Sequence, residues 1–230
     1  MSLRAERSGN NALILGISVL FLIGLTNGFY LEWLRETSVP LLWAQDVIHF
    51  VVIPVVFSVY ISKRYSINPP DYGLIAASPS YPLYELIGAS VFTAFIIGLI
   101  LFPIDYFLYY VFLAFDLVQP GMSYASIVPT GALKLPVVFY LALTAGLVEE
   151  VVYRGIPHKL IFESNRIVSK KVVYVFVTSV AFSAIHWDKG LHLLVSTFIF
   201  GLLAAWLYLI FRNLWPLVGG HFLYDFYIFW

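Results

Sequence analysis

Residues 12–31 read ALILGISVLFLIGLTNGFYL, and from Ser8 to Leu31 there is no Asp, Glu, Lys or Arg. A helix that crosses a bilayer needs about 20 predominantly apolar residues, and this run is long enough. Arg4 and Arg7 ahead of it also suit a cleaved signal peptide. The run is too long for a signal h-region, however, and Thr26-Asn27-Gly28-Phe29 is a poor small-residue cleavage site. The stretch reads as a retained first membrane span.

The rest of the chain continues in the same manner. Of 230 residues, 61% are hydrophobic and 11% charged, with 20 Phe, 16 Tyr and 6 Trp, and the mean hydropathy is +0.88. So few charges cannot cover the surface of a soluble domain of this size, so lipid is the solvent for most of the chain. Thirteen basic and thirteen acidic residues cancel, which argues against a nucleic-acid partner. The absence of cysteine removes disulfides, thiolate metal sites and cysteine nucleophiles.

Further spans are expected at about Val39–Ile61, interrupted by Asp46 and His49, and from Tyr84 to Phe102, where Pro103 bends or ends the helix. Residues 104–118 suit an extension of that helix, an interfacial segment or a short hairpin, and 119–133, with Pro120, Gly121, Pro129 and Gly131, reads as a loop. A fourth span starts near Leu135 and continues past Arg154 to about Phe162. The last three cover Val172–Trp187, Leu191–Phe211 and Leu214–Trp230. The expected fold is all-α: a polytopic transmembrane bundle of about seven spans, with six to eight possible.

With the N-terminus cytoplasmic, the inner face carries Arg4, Arg7, Lys63, Arg64, Lys159, Arg166, Lys170, Lys171 and Arg212. The outer face carries only Arg35, Lys134 and Lys189. This follows the positive-inside rule, and a crossing by 104–118 would violate it.

Ionisable side chains at membrane depth cost roughly 2.5–3.5 kcal/mol each on insertion scales, so they need a reason. The C-terminal half holds Glu149, Glu150, Arg154, His186, His221 and Asp225, on three expected helices. Glu150 and Arg154 are i and i+4 and can pair. Glu149 points about 100° away around the helix, which leaves it free for chemistry as a general base. His221 and Asp225 are again i and i+4, and a bundle can bring Glu149, His186 and His221 onto one water. His49 and His192, each taken alone, read as satisfied core histidines. Asp46 and His49 (i, i+3) read as a self-satisfied polar pair, and His158 with Lys159 as topology-setting residues. By themselves the three polar clusters fit an enzyme and a polar transport pathway equally.

Three motifs add to this reading. Gly146-Leu147-Val148-Glu149-Glu150-Val151-Val152-Tyr153-Arg154-Gly155 resembles the EExxxR motif of the CPBP family, the intramembrane proteases that include CAAX prenyl protease 2 and bacteriocin-processing members. Phe182-Ser183-Ala184-Ile185-His186 resembles its FxxxH motif, and Gly220-His221-Phe222-Leu223-Tyr224-Asp225 its HxxxN/D motif. The resemblance divides the chain into an N-terminal membrane-spanning region, 1–130, and a CPBP-like catalytic core, 131–230. It implies that Glu149 and His186 activate the attacking water, that His221 and Asp225 lie on the oxyanion side, and that Glu150 and Arg154 support the site. Prenyl protease members usually carry Asn where Asp225 stands. An ionised Asp cannot donate to an oxyanion, so Asp225 is protonated, orients His221 or ligates a metal, and the inference to a prenylated substrate weakens.

Glu149, His186 and His221 also form a His2Glu set, the ligand type of several catalytic zinc sites. No HExxH is present and the histidines fall on different helices. Glutamate-activated water without a cofactor is therefore the preferred expectation, with zinc or another divalent metal as the alternative. The expected protein is an intramembrane endopeptidase of a prokaryotic plasma membrane, acting on a membrane-tethered protein or peptide: a prenylated C-terminus, a sorting tail or a leader peptide. The alternatives are a non-catalytic scaffold or immunity protein of the same family, and a proton-coupled carrier, against which stands the lack of internal repeats. The sequence sets no oligomeric state.

Overall fold

In hydrocarbon every backbone N–H and C=O must be satisfied within its own segment, and helices answer that demand throughout this protein. The computed structural model describes residues 3–76, 82–118, 128–164 and 168–230, with no strand among them. Seven helical columns follow in order. They are α1 (Leu3–Thr37), α2 (Val39–Tyr65), α3 (Leu83–Ala114), α4 (Lys134–Glu150, continued by Val151–Gly155 and Ile156–Glu163), α5 (Lys170–Ala184), α6 (Leu191–Phe211) and α7 (Trp215–Phe229). Five of the seven, α1 to α4 and α6, are long and apolar enough to cross a membrane. The two shorter columns, α5 and α7, pack along α6 and along α3 and α4 respectively. The chain is an integral membrane protein.

Pro103 does not end α3, which runs on to Ala114, so most of 104–118 extends the helix. A proline inside a membrane helix is tolerated because its neighbours re-satisfy the freed backbone groups. The expected 119–133 loop lies largely outside the described residues; its visible end is a 3₁₀ turn at Gly131–Leu133. The column α5 stops at Ala184, so His186 stands just beyond the helix and not inside it.

Two helices contain a π-turn, Ile48–Val52 in α2 and Val151–Gly155 in α4. Each is followed by a proline within two residues, Pro54 and Pro157. A proline lacks the N–H that would continue the α ladder, and one extra residue in the turn accommodates it.

Two hydrophobic clusters join the halves of the chain, a small one of Leu13, Ile61, Ile67, Tyr72 and Ile156 and a larger one. In the larger, Leu20, Ile97 and Leu101 pack with Val148, Phe182, Phe200 and Leu217. Gly146 lets α7 approach α4, since a Cβ there would stand 3.1 Å from the Val218 carbonyl and 3.2 Å from the Phe222 nitrogen. Small residues serve this purpose at helix contacts in membranes. At one end of the bundle Arg212 donates to His158, and the Leu214 N–H donates to the Gly73 carbonyl at 2.7 Å. At the other end Trp187 donates to the Leu25 carbonyl at 2.7 Å, and Lys134 to the Trp230 carbonyl.

Candidate active site

The packing of α7 against α4 brings two charged pairs into one cluster. Glu150 and Arg154 are both fully buried, with Oε2 3.4 Å from Nε. Glu150 does not serve Arg154 alone: its Oε1 accepts a hydrogen bond of 2.9 Å from His221 Nδ1. The other ring nitrogen of His221, Nε2, lies 3.9 Å from Glu149 Oε2 and 3.4 Å from Asp225 Oδ2. One imidazole is thus held between three carboxylates, with Nδ1 fixed on Glu150 and Nε2 turned toward Glu149 and Asp225. A partner on one ring nitrogen sets what the other can do.

His186 enters from the turn after α5. Its Nδ1 donates to the Phe182 carbonyl at 2.9 Å, so in the neutral ring Nε2 is left as the acceptor. The Phe182 ring lies 4.9 Å from His186 and 5.2 Å from Phe200, and Phe200 lies 4.8 Å from His221. Arg154 sits beneath this aromatic pair, its guanidinium carbon 4.2 Å from the Phe182 centroid and 5.4 Å from that of Phe200. A cation on ring faces gains electrostatic attraction where water is excluded, which supplements the single carboxylate contact of a buried guanidinium.

Glu149, His186, His221 and Asp225 all line one cavity of about 610 Å³. Its remaining polar lining includes Asp46, Asp105, Lys189 and His192, and the rest is mainly apolar. A second, small cavity of about 60 Å³ touches Glu149, His186, Tyr153 and His49. The six residues expected at the site are therefore gathered in one region, Glu150 and Arg154 behind the wall and the other four in it.

Other features differ from the sequence expectations. Asp46 is not satisfied by His49; its Oδ2 accepts from the Tyr140 hydroxyl at 2.7 Å. That bond ties α2 to α4, which the i, i+3 spacing of Asp46 and His49 could not reveal. Phe200, Tyr140 and Tyr153 were not singled out by sequence, because aromatic residues in an apolar helix carry no signal separating site from core. Among the described residues no three His, Asp or Glu side chains converge as ligands for a metal ion.

Fold and site together define a helical membrane protein with a carboxylate–imidazole cluster opening on a large, mostly apolar cavity. Residues 131–227 match the family described as Rce1-like, type II CAAX prenyl endopeptidase. The resemblance to the CPBP intramembrane proteases holds over that part of the chain, which contains the whole cluster. No curated protein and no solved structure is significantly similar to the chain.

Proposed function

We propose that this protein is an intramembrane endopeptidase that hydrolyses a peptide bond in a membrane-tethered protein or peptide. The observation that carries the reading is the opening of Glu149, His186, His221 and Asp225 onto one mostly apolar cavity. Water bound between Glu149 and the free Nε2 of His186 attacks the carbonyl carbon. Glu149 accepts the proton, and the carbonyl oxygen takes up negative charge on the His221 side, where His221 acts as an imidazolium: its Nδ1–H stays on Glu150 and its Nε2–H donates to the oxyanion. Collapse of the tetrahedral intermediate breaks the C–N bond, and Glu149 returns its proton to the leaving amine. Asp225 orients His221 and does not itself donate to the oxyanion. Glu150 holds the other side of the ring, and Arg154 offsets the Glu150 charge. No metal takes part.

The end of the bundle bearing Lys63, Arg64, Lys159, Lys170 and Arg212 is the cytoplasmic one, with the N-terminus on that side, in a prokaryotic plasma membrane. The large cavity belongs to the opposite half. Asp46 near the start of α2, Asp105 toward the end of α3, Lys189 and His192 between α5 and α6, and Phe229 at the end of α7 all line it. The substrate segment is therefore one that reaches the site from the outer leaflet side. Residues 131–230 form the catalytic core, and 1–130 close the cavity around it.

The test is mass spectrometry of new protein termini in membranes of cells expressing the wild-type chain or Glu149→Gln. A terminus present only with the wild type names the substrate. Identical termini in both would remove the protease reading and leave the scaffold.

A further inference from the structure

Hydrolysis within a bilayer requires two arrivals, a bulky substrate and a water molecule, and this site has two cavities. Glu149 and His186 line both the cavity of about 610 Å³ and the one of about 60 Å³. Phe50 and Lys189 line both as well, so these four residues lie where the two cavities adjoin. The large cavity has the volume for a peptide segment. The small one has room only for water.

The small cavity is closed on its N-terminal side by Leu20, Gly24, His49 and Phe50, of which only His49 is polar. His49 is 6% exposed. Its ring is within hydrogen-bonding reach of the Leu20 backbone carbonyl, and its buried Nδ1 has no hydrogen-bond partner among the described residues. A buried polar nitrogen without a partner is costly, and a purely structural histidine would be expected to be satisfied. The π-turn Ile48–Val52 contains this residue, and such turns in helices are frequent at functional sites. The companion π-turn, Val151–Gly155, carries Tyr153 and Arg154 on the facing helix, and Tyr153 lines the same small cavity.

Building on the protease reading, we infer that His49 is a positioning residue that holds water in the small cavity on the rear side of Glu149 and His186. It acts through that water and does not touch the substrate. It also gives residues 1–130 a part in the reaction that the match at 131–227 does not cover.

The test uses purified full-length protein in liposomes with a library of lipid-anchored peptides of random sequence, read as new termini by mass spectrometry. Cleavage by the wild type and not by Glu149→Gln decides the protease reading first. On the best-cleaved peptide, His49→Leu is expected to lower kcat at least tenfold with KM changed less than twofold. His49→Gln, which keeps a hydrogen-bonding edge, is expected to recover a large part of that loss. Wild-type kcat in His49→Leu, a raised KM with kcat unchanged, or equal loss in both variants would each overturn the inference. Water-edited solid-state NMR of protein carrying ¹⁵N-labelled histidine gives a readout independent of turnover. The His49 ring is expected to receive polarisation from water as fast as His186, and slow transfer to His49 overturns the inference whether or not any peptide is cleaved.

Discussion

His221 Nδ1 stands 2.9 Å from Glu150 Oε1, and Arg154 Nε stands 3.4 Å from the other oxygen of the same carboxylate. Glu150 is thus the hinge between the support of the site and its reacting edge. Replacing it by Ala leaves a fully buried guanidinium with no carboxylate and frees the His221 ring. Loss of one partner of a buried pair costs about 3–5 kcal/mol. Glu150→Ala is expected to unfold at clearly lower temperature in detergent. Glu150→Gln should keep most of the stability, since its amide oxygen still accepts from His221, but lose activity as the charge balance around the ring changes. Equal melting of both variants and wild type would separate Glu150 from the fold.

Glu149 differs from its neighbour in that its contacts face the cavity. Glu149→Gln is expected to fold with wild-type stability and to lose about 10²- to 10⁴-fold in hydrolysis, the usual contribution of a positioned proton acceptor. Thermal unfolding beside peptide cleavage in liposomes checks both halves of this prediction.

With Glu149 as the base and His186 as its partner on the attacking water, hydrolysis is expected to survive chelation. Prolonged treatment with EDTA and with 1,10-phenanthroline should leave the rate within about twofold of the untreated protein, a span well inside the tenfold that 1.4 kcal/mol represents. Loss of activity restored by zinc would return Glu149, His186 and His221 to the role of ligands.

Gly155 ends the π-turn of α4, and a Cβ there would run into the backbone carbonyl of Tyr72 and the side chain of Leu214. A carbonyl in a turn cannot rotate aside as a flexible side chain does. Gly155→Ala is expected to destabilise the protein by about 1–3 kcal/mol, as overpacking does, measurable by thermal unfolding.

Sidedness is open to a direct measurement because the chain has no cysteine. Lys170→Cys and Lys189→Cys each introduce one thiol, on opposite ends of α5 and its following turn. A membrane-impermeant maleimide added to intact cells is expected to label position 189 and not 170. The reverse pattern would place the large cavity on the cytoplasmic side.

The bundle was legible in sequence because the signal for a membrane helix is additive. The run from residue 191 to 211 needs no knowledge of its neighbours to be placed, and the helix found there has the expected bounds. The motif residues were legible for a related reason: a charge in an apolar helix stands out wherever it points. The π-turns before Pro54 and Pro157 left a mark in sequence, a proline within an apolar run, but not the consequence for the side chains nearby.

By itself, then, the sequence determined the membrane, the helices and the set of ionisable residues to be explained, since each follows from composition along a single segment. Tertiary structure alone decided which atoms meet. That His221 is shared by Glu149, Glu150 and Asp225, that Asp46 turns to Tyr140 and not to His49, and that His49 lines the same small cavity as Glu149 all depend on contacts between helices. Such contacts are set by where small residues such as Gly146 let two helices approach. No periodicity within one helix records them.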